Sequence, residues 1–134
     1  MINYRIVSGT DCISIDDVAD LLKQTYWAGQ RTKERIRRSM ENSDCYGIYV
    51  EGSDKLAGFA RVITDHATTY YLCDVIVDEK YRRQGLGTAL ISYIEALPDY
   101  KELRGLLMTA NAHGLYEKFG FRRVSDRAMQ KTNE

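Results

Sequence analysis

The chain has 134 residues, enough for one compact domain with a single apolar core and too few to divide comfortably into two, so one domain over 1–134 is expected. Its 19 Lys and Arg balance 19 Asp and Glu, so no overall field draws it to nucleic acid or to an anionic membrane surface, and any anion site must be local. MINYRIVSG lacks the apolar h-region of a signal peptide, and no uncharged run approaches the ~18 residues of a membrane span, which points to a soluble, cytoplasmic protein with no membrane partner. Cys12, Cys45 and Cys73 are odd in number, widely spaced and without a CxxC, a pattern of reduced thiols rather than of a disulfide framework or a metal site.

Tyr4 to Val7 reads as a first strand. Ser14 then precedes IDDVADLLKQTYW, with Asp16 and Asp17 in the first turn, as an N-capped helix whose buried stripe is Ile15, Val18, Leu22 and Tyr26. After a break at AGQR, Thr32 caps a second helix, KERIRRSMEN, with a thin apolar seam of Ile36 and Met40. CYGIYVE, LAGFARVIT and TYYLCDVIV, separated by the polar turns GSDK and DHAT, predict an antiparallel meander. Leu86, Leu90, Ile94 and Leu97 mark a helix stopped by Pro98, LRGLLM is a short strand, and NAHGLYEKF is a short helix ending at Gly120, a suitable C′ residue. GFRRV and AMQK are expected to pair as the last strands. The order predicts an α+β domain with a mixed, mostly antiparallel sheet of six to seven strands flanked by about four helices.

Between Val77 and the third helix lies DEKYRRQGLGTAL. A strand passing through a short loop into a helix at Gly85 to Thr88 leaves several backbone N–H groups free at the positive end of the helix dipole, a setting suited to phosphate. Gly85 and Gly87 permit close approach, and Lys80, Arg82 and Arg83 add local charge. The same glycines also suit a plain strand-to-helix turn. A dinucleotide fingerprint would need Gly where Leu90 stands, and a P-loop would need Gly-Lys-Ser/Thr, so both fail.

VDEKYRRQGLGTAL resembles the acyl-CoA-binding signature Arg/Gln-x-x-Gly-x-Gly/Ala of the GNAT superfamily of N-acetyltransferases, through Arg82, Gly85 and Gly87. AHGLYEKFGF resembles a second family segment through Ala112, Leu115, Tyr116, Glu117, Lys118, Gly120 and Phe121. The element order also matches the family fold along nearly the whole chain. The resemblance implies acetyl-CoA as cosubstrate, with its pyrophosphate on the amides of Arg83, Gln84, Gly85, Leu86, Gly87 and Thr88. It implies the pantetheine arm along Val75, Ile76 and Val77, which would read equally well as core, and Tyr116 as the acid that protonates the departing thiolate. Where the family often carries Asn seven positions before that Tyr, this chain has Thr109, with Asn111 two residues later, and both are candidates for the contact.

Acetyl transfer needs a neutral amine. Asp74, interrupting the apolar run YYLCDVIV, is the leading candidate base, with a structurally paired Asp as the other reading. Asp65 and His66 fit ordinary turn residues better. Tyr26, Trp27 and Arg31 are candidates for the wall of an acceptor pocket, Trp27 equally for a core anchor, and His113 shares a helix face with Tyr116. The expected activity is transfer of an acetyl group to a primary amine, small or peptidic. A non-catalytic acyl-CoA-binding sensor or subunit is the alternative, and a homodimer stays open. Nucleic acid is not expected as a partner.

Overall fold

The computed structural model describes residues 2–132, which hold β1 (Tyr4–Ser8), α1 (Ile15–Leu22), α2 (Lys33–Glu41), β2 (Asp44–Val50), β3 (Leu56–Thr64), β4 (Thr69–Val77), α3 (Leu86–Glu95), β5 (Arg104–Leu107) and α4 (His113–Glu117). The five strands form one sheet in the order β1-β2-β3-β4-β5. All neighbours are antiparallel except β4 and β5, which run parallel. None of the described helices is long and apolar enough to cross a membrane.

The first two helices begin where a hydroxyl replaces a missing backbone acceptor: Ser14 Oγ accepts from Asp17 N at 3.3 Å ahead of α1, and Thr32 Oγ1 from Arg35 N at 3.2 Å ahead of α2. The sheet is covered on both faces. Val18, Leu22, Ile36 and Met40 of α1 and α2 pack with Phe59 and Ile76 on one face. Leu86, Leu90, Ile91 and Ile94 of α3 pack with Val62 and Leu72 on the other, each such side chain contributing about 1.5–3 kcal/mol by leaving water.

Two sequence expectations change. The buried stripe of α1 stops at Leu22, because Thr25 Oγ1 donates to Leu22 O at 2.7 Å and accepts from Ala28 N at 3.0 Å, turning the chain, so Tyr26 is 81% exposed instead of buried. The sheet has five strands rather than six to seven among the described residues, since GFRRV and AMQK make no ladder. A turn does form between them, with Arg127 N donating to Val124 O at 3.0 Å. Phe121 packs onto the α3-face core, but Arg122 to Lys131 are exposed throughout, so beyond that one side chain these segments have no apolar face to press onto a core and nothing beyond β5 to hold them in register.

In β4 an extra residue intervenes. Arg61 pairs with Cys73 and Phe59 with Ile76, so Ala60 faces two residues, Asp74 and Val75, and Asp74 takes φ 50°. Alternation reverses there: Tyr70 and Leu72 belong to the α3 face, whereas beyond the bulge Ile76 belongs to the α1–α2 face and Val75 and Val77 to the α3 face.

At the parallel pair, Gly105 sits opposite Tyr70, and a Cβ there would lie 2.6 Å from the Tyr70 ring and hydroxyl. Tyr70 has no easy retreat, because its hydroxyl donates to the Glu95 carboxylate at 2.8 and 3.0 Å. Gly105→Ala is therefore expected to destabilise by about 1–3 kcal/mol in urea unfolding. Gly114→Ala, in α4 with open space around it, is expected to stabilise by up to about 1 kcal/mol.

Candidate active site

Pairing between β4 and β5 ends at Leu72 and Leu107, yet β4 continues to Val77. From Cys73 to Val77 the strand therefore has a neighbour in β3 but no strand on its other edge, and main-chain donors and acceptors there face an open cleft, apart from Val77 O, which a side chain of the following turn engages. The cleft leads into the turn before α3. Asp78 Oδ1 accepts from Lys80 N at 3.1 Å, and the chain then passes through Arg83 at φ 66° and Gly85 at φ 84°. Gly85 is the N-cap of α3 and makes no side-chain cap, which leaves the amides of Leu86, Gly87 and Thr88 without a helical acceptor. Among the described residues no acceptor answers the amides of Arg83, Gln84 and Gly85 either. A row of donors thus converges at the positive end of a helix, with the exposed Arg82 and Arg83 beside it. The Arg82 side chain folds back, its Nε donating to Val77 O at 3.1 Å, and so ties the turn to the end of β4. The chain presents an anion cradle continuous with an unpaired strand edge.

Tyr116 comes to this cleft from α4. The helix closes in a Schellman motif: Phe121 N donates to Tyr116 O at 3.3 Å, Gly120 N donates to Glu117 O at 3.2 Å, and Gly120 supplies φ 91°. The motif brings Phe121 edge-on to the Tyr116 ring, with centroids 6.1 Å apart. Tyr116 is 8% exposed and belongs to the α3-face cluster, against which Val75 and Val77 also pack. Its hydroxyl has no protein partner among the described residues, and no fully buried side-chain polar atom there goes unpaired, so the hydroxyl itself opens to solvent. Burial raises its pKa above the ordinary phenol value, which keeps the proton on the oxygen at neutral pH.

Asp74 points to the opposite face, where its side chain is 3% exposed. Its Oδ2 accepts from Arg31 Nη1 at 2.7 Å and from Arg61 Nε at 2.9 Å, and Trp27 Nε1 lies 3.4 Å from Oδ1. Burial alone would push this carboxyl up. The hydrogen bond from Arg31 and the charges of Arg61 and Arg31 outweigh it and hold the pKa below the ordinary Asp value. Arg61 is fixed further by donating to Ser43 Oγ at 3.0 Å. Trp27 is 47% exposed and stands at the rim, packed edge-on against Tyr26 with centroids 5.2 Å apart.

Of the residues singled out in the sequence, Val75 to Val77 and Arg82 to Thr88 line the cleft and its turn, while Trp27, Arg31 and Asp74 assemble on the other face of the sheet. Thr109 is half-buried and already engaged, its Oγ1 accepting from Ala112 N at 3.0 Å at the entry to α4. Asn111 is exposed and His113 half-buried, and neither has a side-chain partner among the described residues. Asp65 caps its own turn, accepting from the amides of Ala67, Thr68 and Thr69. Arg61 and Ser43 were not singled out. A signal for Arg61 existed, since it breaks the apolar run LAGFARVIT as Asp74 breaks its own, and the meander places the two strands side by side.

Asp74→Asn leaves two guanidinium groups around a neutral amide. It is expected to destabilise the fold by about 3 kcal/mol at pH 7. Because the folded-state pKa of Asp74 is depressed, its contribution is complete above the unfolded value of ~3.9 and is lost as pH falls through the folded value. The gap between wild type and variant in urea unfolding should therefore be full at pH 7 and shrink below pH ~4.

Comparison with known proteins agrees with this geometry. A family model described as an acetyltransferase (GNAT) domain matches residues 41–123. A solved structure from Xanthomonas campestris pv. campestris, assigned to the GNAT family of acetyltransferases, superposes with a TM-score of 0.89 at 33% identity, over 99% of this chain and 95% of that one. The chloroplastic GCN5-related N-acetyltransferase 2 of Arabidopsis thaliana is 30% identical over an alignment of 113 residues that covers 78% of this chain and 42% of that longer protein. The ribosomal-protein-S18-alanine N-acetyltransferase of Escherichia coli shares the fold, with a TM-score of 0.72 at 23% identity over 92% of this chain and 80% of that one. The chain belongs to the GNAT family of acetyltransferases.

Proposed function

We propose that the protein transfers an acetyl group from acetyl-CoA to a primary amine by direct transfer. The observation that carries this reading is the unpaired edge of β4 from Cys73 to Val77 running straight into the free amides of Arg83 to Thr88. An extended amide chain ending in a pyrophosphate matches those two features in order: strand-like pairing along Val75 to Val77, then charge on the turn. The residues fit the group, because the amides lack acceptors and nothing beyond the adjoining residues lies within 4 Å of where a Cβ on Gly85 would stand. Thr109 retains a hydroxyl proton that can be donated, and exposed Asn111 stands near the same entry to α4.

When bound, acetyl-CoA supplies the activated acetyl thioester. The free amine forms the new N–C bond as the C–S bond breaks, the Tyr116 hydroxyl gives its proton to the departing sulfur, and the nitrogen releases its own proton to solvent. Solvent then restores the Tyr116 proton. Asp74, the base expected from the sequence, is ionised, covered and shared between two guanidinium groups, which favours a positioning role for it on the acceptor side over proton abstraction. The amine is then drawn from its free-base fraction, and the rate between pH 6 and 9 should follow the acceptor's own ionisation.

Calorimetric titration should show binding of acetyl-CoA and none of ATP or NAD, followed by thiol release with an amine panel. Acetyl-CoA binding without thiol release would favour a non-catalytic acyl-CoA-binding role, and no binding would end this reading. Tyr116→Phe should lower kcat by about 10²-fold and leave the Kd for acetyl-CoA unchanged. The alkaline limb of kcat due to Tyr116 should lie above pH ~10, since burial raises this phenol. Gly87→Ala has room in the free protein, where the added Cβ would make only an ordinary 3.5 Å contact with Val77. It should keep the unfolding midpoint while weakening acetyl-CoA binding.

A further inference from the structure

The acceptor face carries an unbalanced charge. Arg31 and Arg61 share a single carboxylate oxygen of Asp74, and no second carboxylate among the described residues lies within ion-pair distance of either guanidinium. The exposure is graded in one direction: Asp74 is 3% exposed, Arg61 12% and Arg31 20%, so the negative group is sealed beneath and the positive groups face outward. Arg31 gives one N–H to Asp74 and Arg61 gives one each to Asp74 and Ser43, which leaves most of their ten N–H donors free. A half-buried guanidinium held in place by a carboxylate is pre-organised for a second planar or tetrahedral anion. Exposed Trp27 and Tyr26 stand beside it, offering aromatic surface at the mouth.

Resting on the acetyltransferase reading above, we infer that the acceptor is an amine that also carries an anionic group, carboxylate or phosphate, which is bound by Arg31 with Arg61 behind it. Asp74 is the positioning residue that fixes both guanidinium groups. A polycationic amine meets net positive charge at this face and is disfavoured.

Trp27 is the single tryptophan of the chain and stands at the clamp, so its fluorescence reads occupancy without any turnover. Titrations in the presence of CoA would compare phenylalanine with phenethylamine and phosphoethanolamine with ethanolamine, with spermidine as the cationic control. The anionic member of at least one pair is expected to bind tenfold or more tightly than its uncharged-tail partner, and the pair with the larger ratio identifies the anion. Arg31→Met should reduce that ratio to below threefold and Arg31→Lys should retain part of it. If Arg31→Met fails to fold, the wild-type ratios together with those of Arg31→Lys decide. Equal affinities within both pairs, tighter binding of spermidine, or a ratio that survives Arg31→Met would overturn the inference while leaving the acetyltransferase reading intact if acetyl-CoA still binds. Absence of acetyl-CoA binding overturns both.

Discussion

Asp74 adopts φ 50° in the middle of β4, and the extra residue it represents decides which way the functional groups of this protein point. Without the bulge, strict alternation would put residue 74 on the same face as Tyr70 and Leu72, among the aliphatic side chains of α3. With it, the carboxylate turns to the α1–α2 face and Val75 and Val77 turn to the α3 face. A left-handed conformation costs a non-glycine residue roughly 1–2 kcal/mol, less for Asp, which tolerates it better than most. Two charge-assisted hydrogen bonds from Arg31 and Arg61 offset that cost, so bulge and clamp hold each other in place.

The bulge also separates the two halves of the site. Tyr116 and the free amides of the turn lie with α3 and α4, whereas Arg31, Arg61 and Trp27 lie with α1 and α2. A sheet with continuous pairing would wall these off from one another. Here β5 stops at Leu107 while β4 runs on for five residues, and the gap joins the two faces. On the proposed acetyltransferase reading, a thioester held in that gap would meet the amine from one face and the Tyr116 hydroxyl from the other. Rigid cores on both faces keep the gap from closing, since Phe59, Leu90, Ile91 and Ile94 are fully buried and leave β4 little freedom to shift toward β5.

Features set by short-range chemistry were legible in the sequence. The Ser14 and Thr32 caps, the meander turns, the Gly85 turn and the Gly120 stop depend on a few consecutive residues and appear where expected, and the fold class follows from their order. Register was not legible. That Arg61 and Asp74 meet depends on a bulge displacing β4 by one residue against β3, and neither strand's pattern announces it. Tyr26 fits the period of α1 but lies beyond the point where Thr25 ends the helix, so periodicity overran a stop made by one hydroxyl. Of the last two segments only Phe121 packs on the core, Arg122 to Lys131 are exposed, and a segment without a buried face does not make a strand.

The distribution of protons in this site bears on where its rate would come from. Tyr116 has a raised pKa, so it is a weak acid that releases its proton only as negative charge accumulates on the departing sulfur. Asp74 has a lowered pKa and both of its strong partners on one oxygen, so it is a weak base. Neither shift moves its group toward neutrality, where general acid–base catalysis is strongest, so proton transfer from Tyr116 accounts for the smaller share of the proposed acceleration. The larger contribution then falls to holding amine and thioester at reacting distance, an effect that reaches roughly 7–11 kcal/mol where orientation is complete. Orientation of that order needs an anchor on each reactant. The turn amides offer one to the donor, and the spare donors of Arg31 and Arg61 offer one to the acceptor, so an acceptor lacking an anion would sit in this cleft held at one end less.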